Sequence, residues 1–153
     1  MEFVQFHERY RQAFIDFNID WIVSIFSSLE EHDKETFEEF DEELDNGAMI
    51  FFAAEDGVPL ACCMSVPAKG ERTWEICKSA SNKNIPHPGA GSLVFKASMD
   101  WSLEHGARRL FILSNSALKP ALHIYEKNGF REIELSDYGY ARGDIAFEYT
   151  REE

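Results

Sequence analysis

Residues 84–91 read Asn-Ile-Pro-His-Pro-Gly-Ala-Gly, and this stretch decides our interpretation of the fold. Two prolines and two glycines predict a tight loop, after which apolar residues recur at near-helical spacing up to Gly106. A glycine-rich turn that opens a helix leaves backbone N–H groups unpaired at the positive end of the helix dipole. Because such a turn favours phosphate or pyrophosphate, the loop predicts a site for a phosphate-bearing cofactor.

The chain on either side of this loop predicts a mixed α/β domain spanning residues 1–153. Asp56-Gly57 is typical of a two-residue hairpin turn, and Asp33 is a candidate cap for the second helix. The predicted elements, in chain order, are strand 2–6, helix 8–26 with a break near Asn18, helix 33–44, strands 48–54, 58–66 and 72–80, a helix between the loop and Gly106, strand 108–114, helix 117–128, and strands 130–135 and 145–150. Because a helix joins two of the strands, we expect one parallel pair in a mostly antiparallel sheet with helices on both faces.

Composition excludes several classes of protein. The 153 residues suffice for one domain with a real core, and no apolar run approaches a membrane span. A net charge of −13 argues against nucleic acid as a partner and favours a cationic substrate or, more simply, solubility. Cys62, Cys63 and Cys77 lie in apolar runs, which predicts buried free thiols rather than disulfides or a metal site. With no basic or apolar leader at the N-terminus, we expect a cytoplasmic protein.

Two familiar phosphate loops fit this chain poorly. A Walker A loop requires a lysine that Gly91-Ser92 lacks. A dinucleotide loop requires three glycines and an acidic residue at the end of the next strand. Here Val94 occupies the third glycine position, and the next strand ends at Leu113-Ser114-Asn115. Both alternatives are therefore disfavoured by the residues themselves.

Three segments, the first of which includes the glycines of this loop, resemble the GNAT superfamily of N-acetyltransferases. Residues 89–95 with the helix running to residues 104–110 resemble its acetyl-CoA loop and helix. Residues 115–130, which end in Tyr-Glu-Lys-Asn-Gly-Phe, are similar to its second signature, and residues 17–22 resemble a subgroup of small bacterial-type members. The resemblance implies a GNAT-like acyl-CoA N-acyltransferase fold. It also implies transfer of an acetyl group from acetyl-CoA to a primary amine of a small molecule or peptide, by direct attack.

One position departs from the superfamily pattern. The Gln or Arg that usually precedes the glycines is replaced by Pro86, with His87 beside it. Pro86 and Pro88 have no N–H to offer a phosphate. Either His87 or Lys83 compensates, or cofactor affinity is reduced, or the domain binds CoA or senses a ligand without turnover. A nucleotide-binding domain is a third, weaker alternative.

The resemblance implies roles for individual residues. Glu75 is the candidate general base, unless it is an exposed strand carboxylate; Tyr125 is the candidate proton donor to the CoA sulfur, unless it is a core aromatic. Alternation along the strand places Glu75 on one face with Thr73, Cys77 and Ser79, opposite Trp74, Ile76 and Lys78. Asn115 contacts pantetheine, orders the next turn or caps the next helix. The residues expected to bind the cofactor are Cys77, Lys78, Ser79, Ala80, Ser81, Pro86, His87, Pro88, Gly89, Ala90, Gly91, Ser92, Asn115 and Tyr125.

The acceptor pocket is the least specified part of the site. We expect Phe17, Trp21, Phe26 and the loop 138–140 to shape it, although aromatics at helical spacing are also typical of a core. The acidic run 30–45 is a solvated helix face or a surface that attracts a polyamine or a lysine side chain. The superfamily also makes a homodimer a possible assembly.

Overall fold

The computed structural model describes residues 1–29, 31–134 and 144–151, with backbone only at 32, 33 and 36. The helices are α1 Arg11–Phe26, α2 Glu31–Asp45, α3 Ala90–Glu104 and α4 Lys119–Lys127. The strands are β1 Glu2–Gln5, β2 Met49–Glu55, β3 Val58–Pro67, β4 Thr73–Ser81, β5 Arg109–Ser114, β6 Arg131–Ile133 and β7 Ile145–Thr150. Among the described residues, no helix is both long and apolar enough to cross a membrane.

The strands form one sheet in the order β1-β2-β3-β4-β5-β7-β6. All neighbours are antiparallel except β4 and β5, which are joined through α3 and lie parallel. The predicted order of elements and the single parallel pair are therefore confirmed. The hairpin between β2 and β3 is also confirmed, because Asp56 and Gly57 both have the positive φ angles, 51° and 79°, of a two-residue primed turn.

Two apolar clusters cover the two faces of the sheet. On one face, α1 and α2 pack through residues such as Phe14 and Phe40 against Phe52 and Met64. On the other face, α3 packs through Val94, Phe95 and Met99 against residues of β3, β4 and β5. Tyr125 of α4 joins this second cluster. Helices therefore lie on both faces, as predicted, and any opening in the sheet connects the two layers.

Two local expectations for the first helices are wrong. Helix α1 continues through Asn18 without a break, and the fully buried Asn18 side-chain amide is satisfied within the helix by a 2.9 Å hydrogen bond to the Phe14 carbonyl. Helix α2 begins at Glu31 rather than residue 33, so Asp33 lies inside the helix instead of capping it. The Asp33 side chain is outside the described residues. Spacing along the chain therefore located both helices but not the continuity of α1 or the first residue of α2.

Candidate active site

Strands β4 and β5 separate after a short paired segment. Their parallel register covers only Thr73–Glu75 against Arg109–Phe111. Beyond Glu75, β4 continues to Ser81 and β5 continues to Ser114 without pairing to each other. On its other side β5 stays paired with β7 along its whole length. The sheet therefore opens into a wedge whose β4 edge has backbone groups free of a neighbouring strand.

A β-bulge reshapes β4 at this wedge. Between the pairs Cys62–Ala80 and Met64–Cys77, Cys63 of β3 stands opposite two residues, Lys78 and Ser79. Lys78 has a φ of 53°, a conformation that few residues other than glycine adopt. The bulge inserts one residue into the strand and so shifts its alternation.

The predicted alternation along β4 is consequently wrong after Cys77. The Lys78 Nζ lies 5.8 Å from the ring centroid of Phe37 in α2. The Ser79 hydroxyl instead lies beside Cys63, which belongs to the cluster under α3. Lys78 and Ser79 have thus exchanged faces relative to a regular strand, while Glu75 keeps its place on the α1/α2 face opposite Val66.

The wedge contains a cavity of about 1140 Å³ that reaches both faces of the sheet. One side is lined by α1 and α2, through residues that include Trp21, Phe26 and Glu39. The other side is lined by Gly91 and Phe95 of α3 and by Ile124 and Tyr125 of α4. Because the cavity passes through the sheet, two ligands can enter it from opposite faces and meet between β4 and β5.

Glu75 is the ionisable side chain closest to the point where the strands part. It lines the cavity, is only partly exposed, and has no hydrogen-bond or salt-bridge partner among the described residues. Burial raises the pKa of Glu75 to about 7; the Lys78 ammonium opposes this rise and the Glu43 carboxylate adds to it. A carboxyl group with this pKa can accept and release a proton near neutral pH.

Tyr125 and Ser114 lie across the cavity on the α3/α4 face. Tyr125 is 7% exposed, and burial raises the pKa of its phenol to about 12, an effect that the nearby Ser114 hydroxyl partly offsets. The Ser114 Oγ is buried and has no partner that meets hydrogen-bond geometry within the described part of the chain. The phenol is therefore neutral at pH 7 and able to donate. Sequence reasoning missed Ser114, although it directly precedes Asn115 in the second signature.

The loop before α3 offers fewer donors than its length suggests. The Ala90 amide donates to the His87 carbonyl at 3.2 Å, and the Leu93 amide donates to the Gly89 carbonyl at 3.0 Å. Between them, the amides of Gly91 and Ser92 make no hydrogen bond to another described residue. These two N–H groups stand at the positive end of α3, which is the arrangement that binds phosphate.

The two candidates that could replace the missing Gln or Arg point in different directions. The His87 Nε2 lies 3.4 Å from a Glu55 carboxylate oxygen at the end of β2, away from the cavity. Lys83 lines the cavity, where its ammonium lies 3.4 Å from an Asp20 carboxylate oxygen of α1. Lys83 is therefore the better placed of the two to meet an anionic ligand.

Asn115 orders the turn that follows β5. Its side-chain oxygen accepts a 2.9 Å hydrogen bond from the Ala117 amide, and its carbonyl accepts one from the Leu118 amide. The N-cap of α4 is Leu118, so Asn115 and Ser116 do not cap that helix. Instead, the Ser116 amide and hydroxyl donate to the Asp144 carboxylate at the start of β7. Asn115 still lines the cavity and stays a predicted contact of the cofactor.

The predicted cofactor residues fall into two groups. Those that line the cavity are Cys77, Lys78, Ser79, Ala80, Ser81, Gly91, Asn115 and Tyr125. Those that do not are Pro86, His87, Pro88, Gly89, Ala90 and Ser92. Ala90 is buried in the core and Ser92 lies in the first turn of α3, whereas the others lie along the loop that leads to this helix.

The predicted acceptor pocket is divided in a similar way. Trp21 and Phe26 line the cavity, with their rings 6.2 Å apart in an edge-to-face contact. Phe17 is instead buried in the core of the α1/α2 layer. The loop 138–140 lies outside the described residues.

The cysteines are free thiols, as predicted, with Cys62 and Cys63 buried. Cys77 lines the cavity, but burial raises the pKa of its thiol well above the ordinary value. Burial also raises the pKa of Cys63, to about 11. Since the thiolate is the nucleophilic form, neither residue is activated for covalent catalysis at neutral pH.

The sequence matches the family model described as the Acetyltransferase (GNAT) family over residues 7–130. The chain therefore belongs to the GNAT family of acetyltransferases. No curated protein matches it.

Several solved structures share the fold across the whole chain. A GNAT-family acetyltransferase from Staphylococcus aureus Mu50 superposes with a TM-score of 0.82 at 14% identity, covering 97% of this chain and 98% of that one. Ribosomal-protein-alanine N-acetyltransferase from Brucella melitensis gives 0.80 at 13% identity, covering 99% and 100%. The yncA protein of Salmonella typhimurium, solved with its cofactor acetyl-CoA, gives 0.78 at 11% identity, covering 99% and 94%. At these identities the likeness concerns the fold.

Proposed function

We propose that this protein is an acetyl-CoA-dependent N-acetyltransferase that modifies a primary amine of a small molecule or peptide by direct attack. The observation that carries the proposal is the cavity between β4 and β5, with Glu75 on one face of the sheet and Tyr125 on the other. A base and an acid on opposite sides of one opening are what transfer between two ligands requires.

The cofactor side of the cavity is the face covered by α3 and α4. The unpaired edge of β4 from Ser79 to Ser81 offers main-chain groups to the pantetheine amides, as an added strand does. The Gly91 and Ser92 amides at the start of α3 suit the pyrophosphate, with Lys83 as a nearby cation. One of the amides near the β4 bulge can polarise the thioester carbonyl.

Glu75 serves as the base on the acceptor side. An alkyl amine has a pKa of about 10, so it arrives as an ammonium and must lose a proton before its nitrogen attacks the thioester carbon. Glu75 takes that proton directly or through water. As the C–N bond forms and the C–S bond breaks, Tyr125 donates a hydrogen bond or a proton to the departing thiolate.

Direct attack fits the state of the thiols. Cys77 is the one cysteine that lines the cavity, and an acyl-enzyme route would need it as a thiolate. Burial keeps the pKa of Cys77 well above its ordinary value, which favours the neutral thiol. Free thiols also suit the reducing cytoplasmic location that we propose.

Two measurements test the proposal. Coenzyme A and acetyl-CoA should each raise the melting temperature, whereas ATP and NAD should not. Thiol release from acetyl-CoA should then depend on the addition of a primary amine. If CoA does not stabilise the protein at millimolar concentration, the proposed function fails.

A non-catalytic CoA-binding or ligand-sensing domain is the second candidate, favoured by Pro86 in the position of the usual Gln or Arg. It predicts stabilisation by CoA without amine-dependent thiol release. The two candidates therefore differ in the second measurement only.

A further inference from the structure

The helix α2 presents a row of carboxylates to the acceptor side of the cavity. Glu35, Glu39 and Glu43 are spaced four residues apart, and all three line the cavity. Residues at this spacing follow one another along one side of a helix, with a rise of about 6 Å between neighbours. The negative charge therefore forms a line rather than a point.

This row has no partner within the described part of the chain. None of the three carboxylates makes a salt bridge or hydrogen bond to another described residue. By contrast, Asp41 on another side of α2 is paired with Arg11 at 2.6 Å. The helix thus directs one carboxylate to a structural ion pair and leaves the cavity-facing row available to a ligand.

The cations around the cavity do not cancel this charge. Lys83 is paired with Asp20, and Arg109 is paired with Glu148 at 3.0 Å. Lys78 packs over the Phe37 ring, and Lys69 lies in the turn between β3 and β4. The acceptor side therefore retains an excess of carboxylate, once Glu75 is counted with the row.

Glu75 supplies a second, independent indication of a cationic ligand. Its carboxyl group lies deep in the same cavity with no partner among the described residues. A buried ionisable group without a partner is costly unless a ligand provides one. Trp21 and Phe26 line the apolar wall of this side, which suits a methylene chain.

We propose that the acceptor is a linear aliphatic diamine or polyamine, which places one amine beside Glu75 while a second ammonium lies against the carboxylates of α2. This inference rests on the proposed function. Acetyl-CoA supplies the acetyl group, the amine nitrogen beside Glu75 forms the new C–N bond, and the C–S bond breaks. Glu75 receives one proton of the incoming ammonium. The nitrogen loses a second proton as the C–N bond forms, and a proton passes through Tyr125 to the departing thiolate, so that the products are the amide and the CoA thiol. The distal ammonium keeps its charge throughout.

The experiment compares α,ω-diaminoalkanes of four to eight carbons with the n-alkylamines of equal length. The diamine should be preferred in kcat/KM by about threefold to tenfold, since one to two added ion pairs at an exposed row have roughly that effect. The preference should fall as salt is raised, because the row is exposed on one side. Equal kcat/KM for the two series, or preference for the monoamine, would overturn the inference.

A pair of double variants separates the row from the general charge of the protein. Glu35→Gln with Glu39→Gln removes two cavity-facing carboxylates, whereas Glu38→Gln with Glu42→Gln removes two at the same spacing that do not line the cavity. Glu43 is left in place, because it acts directly on Glu75. The first pair should raise KM for the diamine by about threefold to tenfold, and the second should leave it unchanged. An equal effect of both pairs would contradict the inference.

If no turnover is detected, binding of the diamine itself tests the inference. With CoA present, a diamine should raise the melting temperature of the wild-type protein and of the Glu38/Glu42 variant, but not of the Glu35/Glu39 variant. If monoamines are acetylated from acetyl-CoA and diamines are not preferred, the inference is wrong but the proposed function stands. If diamines bind but no thiol is released, the proposed acetyltransferase activity is wrong but the proposed recognition of diamines stands. Far-UV circular dichroism confirms that α2 is intact in both variants.

Discussion

Replacement of Glu75 by Gln should make the protein more stable and less active at once. Between its ordinary pKa of 4.5 and its folded pKa of about 7, Glu75 holds more proton in the folded chain than in the unfolded chain. The free energy of unfolding therefore falls as pH rises through this window. Above pH 7 the ionised carboxylate destabilises the fold by about 3 kcal/mol, which a neutral Gln does not.

The stability difference has a defined pH dependence. The gain of Glu75→Gln over the wild type should grow by about 2 kcal/mol between pH 5.5 and pH 8. At pH 8 the melting temperature should rise by roughly 6–12 °C. The charged groups that act on Glu75 are Lys78 and Glu43, and both remain in the variant.

Activity should move the other way. If Glu75 is the base, kcat should fall about 100-fold while the Kd for acetyl-CoA stays the same. The wild-type kcat/KM should rise with pH along a limb near pH 7, and this limb should disappear in the variant. Calorimetry measures the melting temperature, and steady-state thiol release measures kcat and kcat/KM. Isothermal titration measures the affinity for the cofactor.

Glu38→Gln is the matched control, because it removes an equal charge from an exposed position outside the cavity. This control measures how much stability the protein gains when any one negative charge is removed from a chain of net charge −13. If both variants gain the same stability at pH 8, the burial argument is wrong. If Glu75→Gln keeps full turnover at neutral pH, Glu75 is not the base.

Three further predictions concern other residues. Tyr125→Phe should lower kcat at least tenfold with little change in melting temperature, since the Tyr125 hydroxyl and the nearby Ser114 hydroxyl make no hydrogen bond of good geometry; full turnover would remove Tyr125 from the mechanism. Glu148→Gln should lower stability by about 1 kcal/mol at pH 7, because Glu148 pairs with Arg109 and Arg131. Arg109 lowers the pKa of Glu148, so this loss should shrink as pH falls below 4.5, and a pH-independent loss in denaturant titrations would refute the pairing. Asn18→Ala should cost about 2 kcal/mol, because it removes the buried hydrogen bond from the Asn18 side-chain amide to the Phe14 carbonyl and leaves a small void; a cost under 0.5 kcal/mol would count against this packing.

The residue pattern was sufficient for the order and type of the elements. Apolar spacing located α1 and α3, and Asp56-Gly57 located the hairpin, because both signals depend on neighbours in the chain. The helix between β4 and β5 implied their parallel pairing for a topological reason. Boundaries were less certain, as α2 and α4 show, because capping and tertiary packing decide where a helix ends.

The active-site geometry was only partly predictable. Glu75 and Tyr125 were found through the resemblance to the GNAT superfamily, and both line the cavity. Ser114 was missed because a single serine carries no pattern that distinguishes it from other strand serines. The exchange of faces between Lys78 and Ser79 was missed because a bulge depends on the register with β3, which alternation along one strand does not contain.

The sequence by itself therefore determined the family, the element order and the identity of the principal acid and base candidates. The element order follows from local periodicity and turn chemistry, whereas the family and the two candidates follow from the segments that resemble the GNAT superfamily. Only the tertiary structure decided that β4 and β5 part after Glu75, that the cavity crosses the sheet, and that the carboxylates of α2 line the same cavity as Glu75. The reason is physical: the pKa of Glu75 and the charge around the acceptor depend on burial and on groups more than 30 residues away in the chain, which come together only when the layers pack.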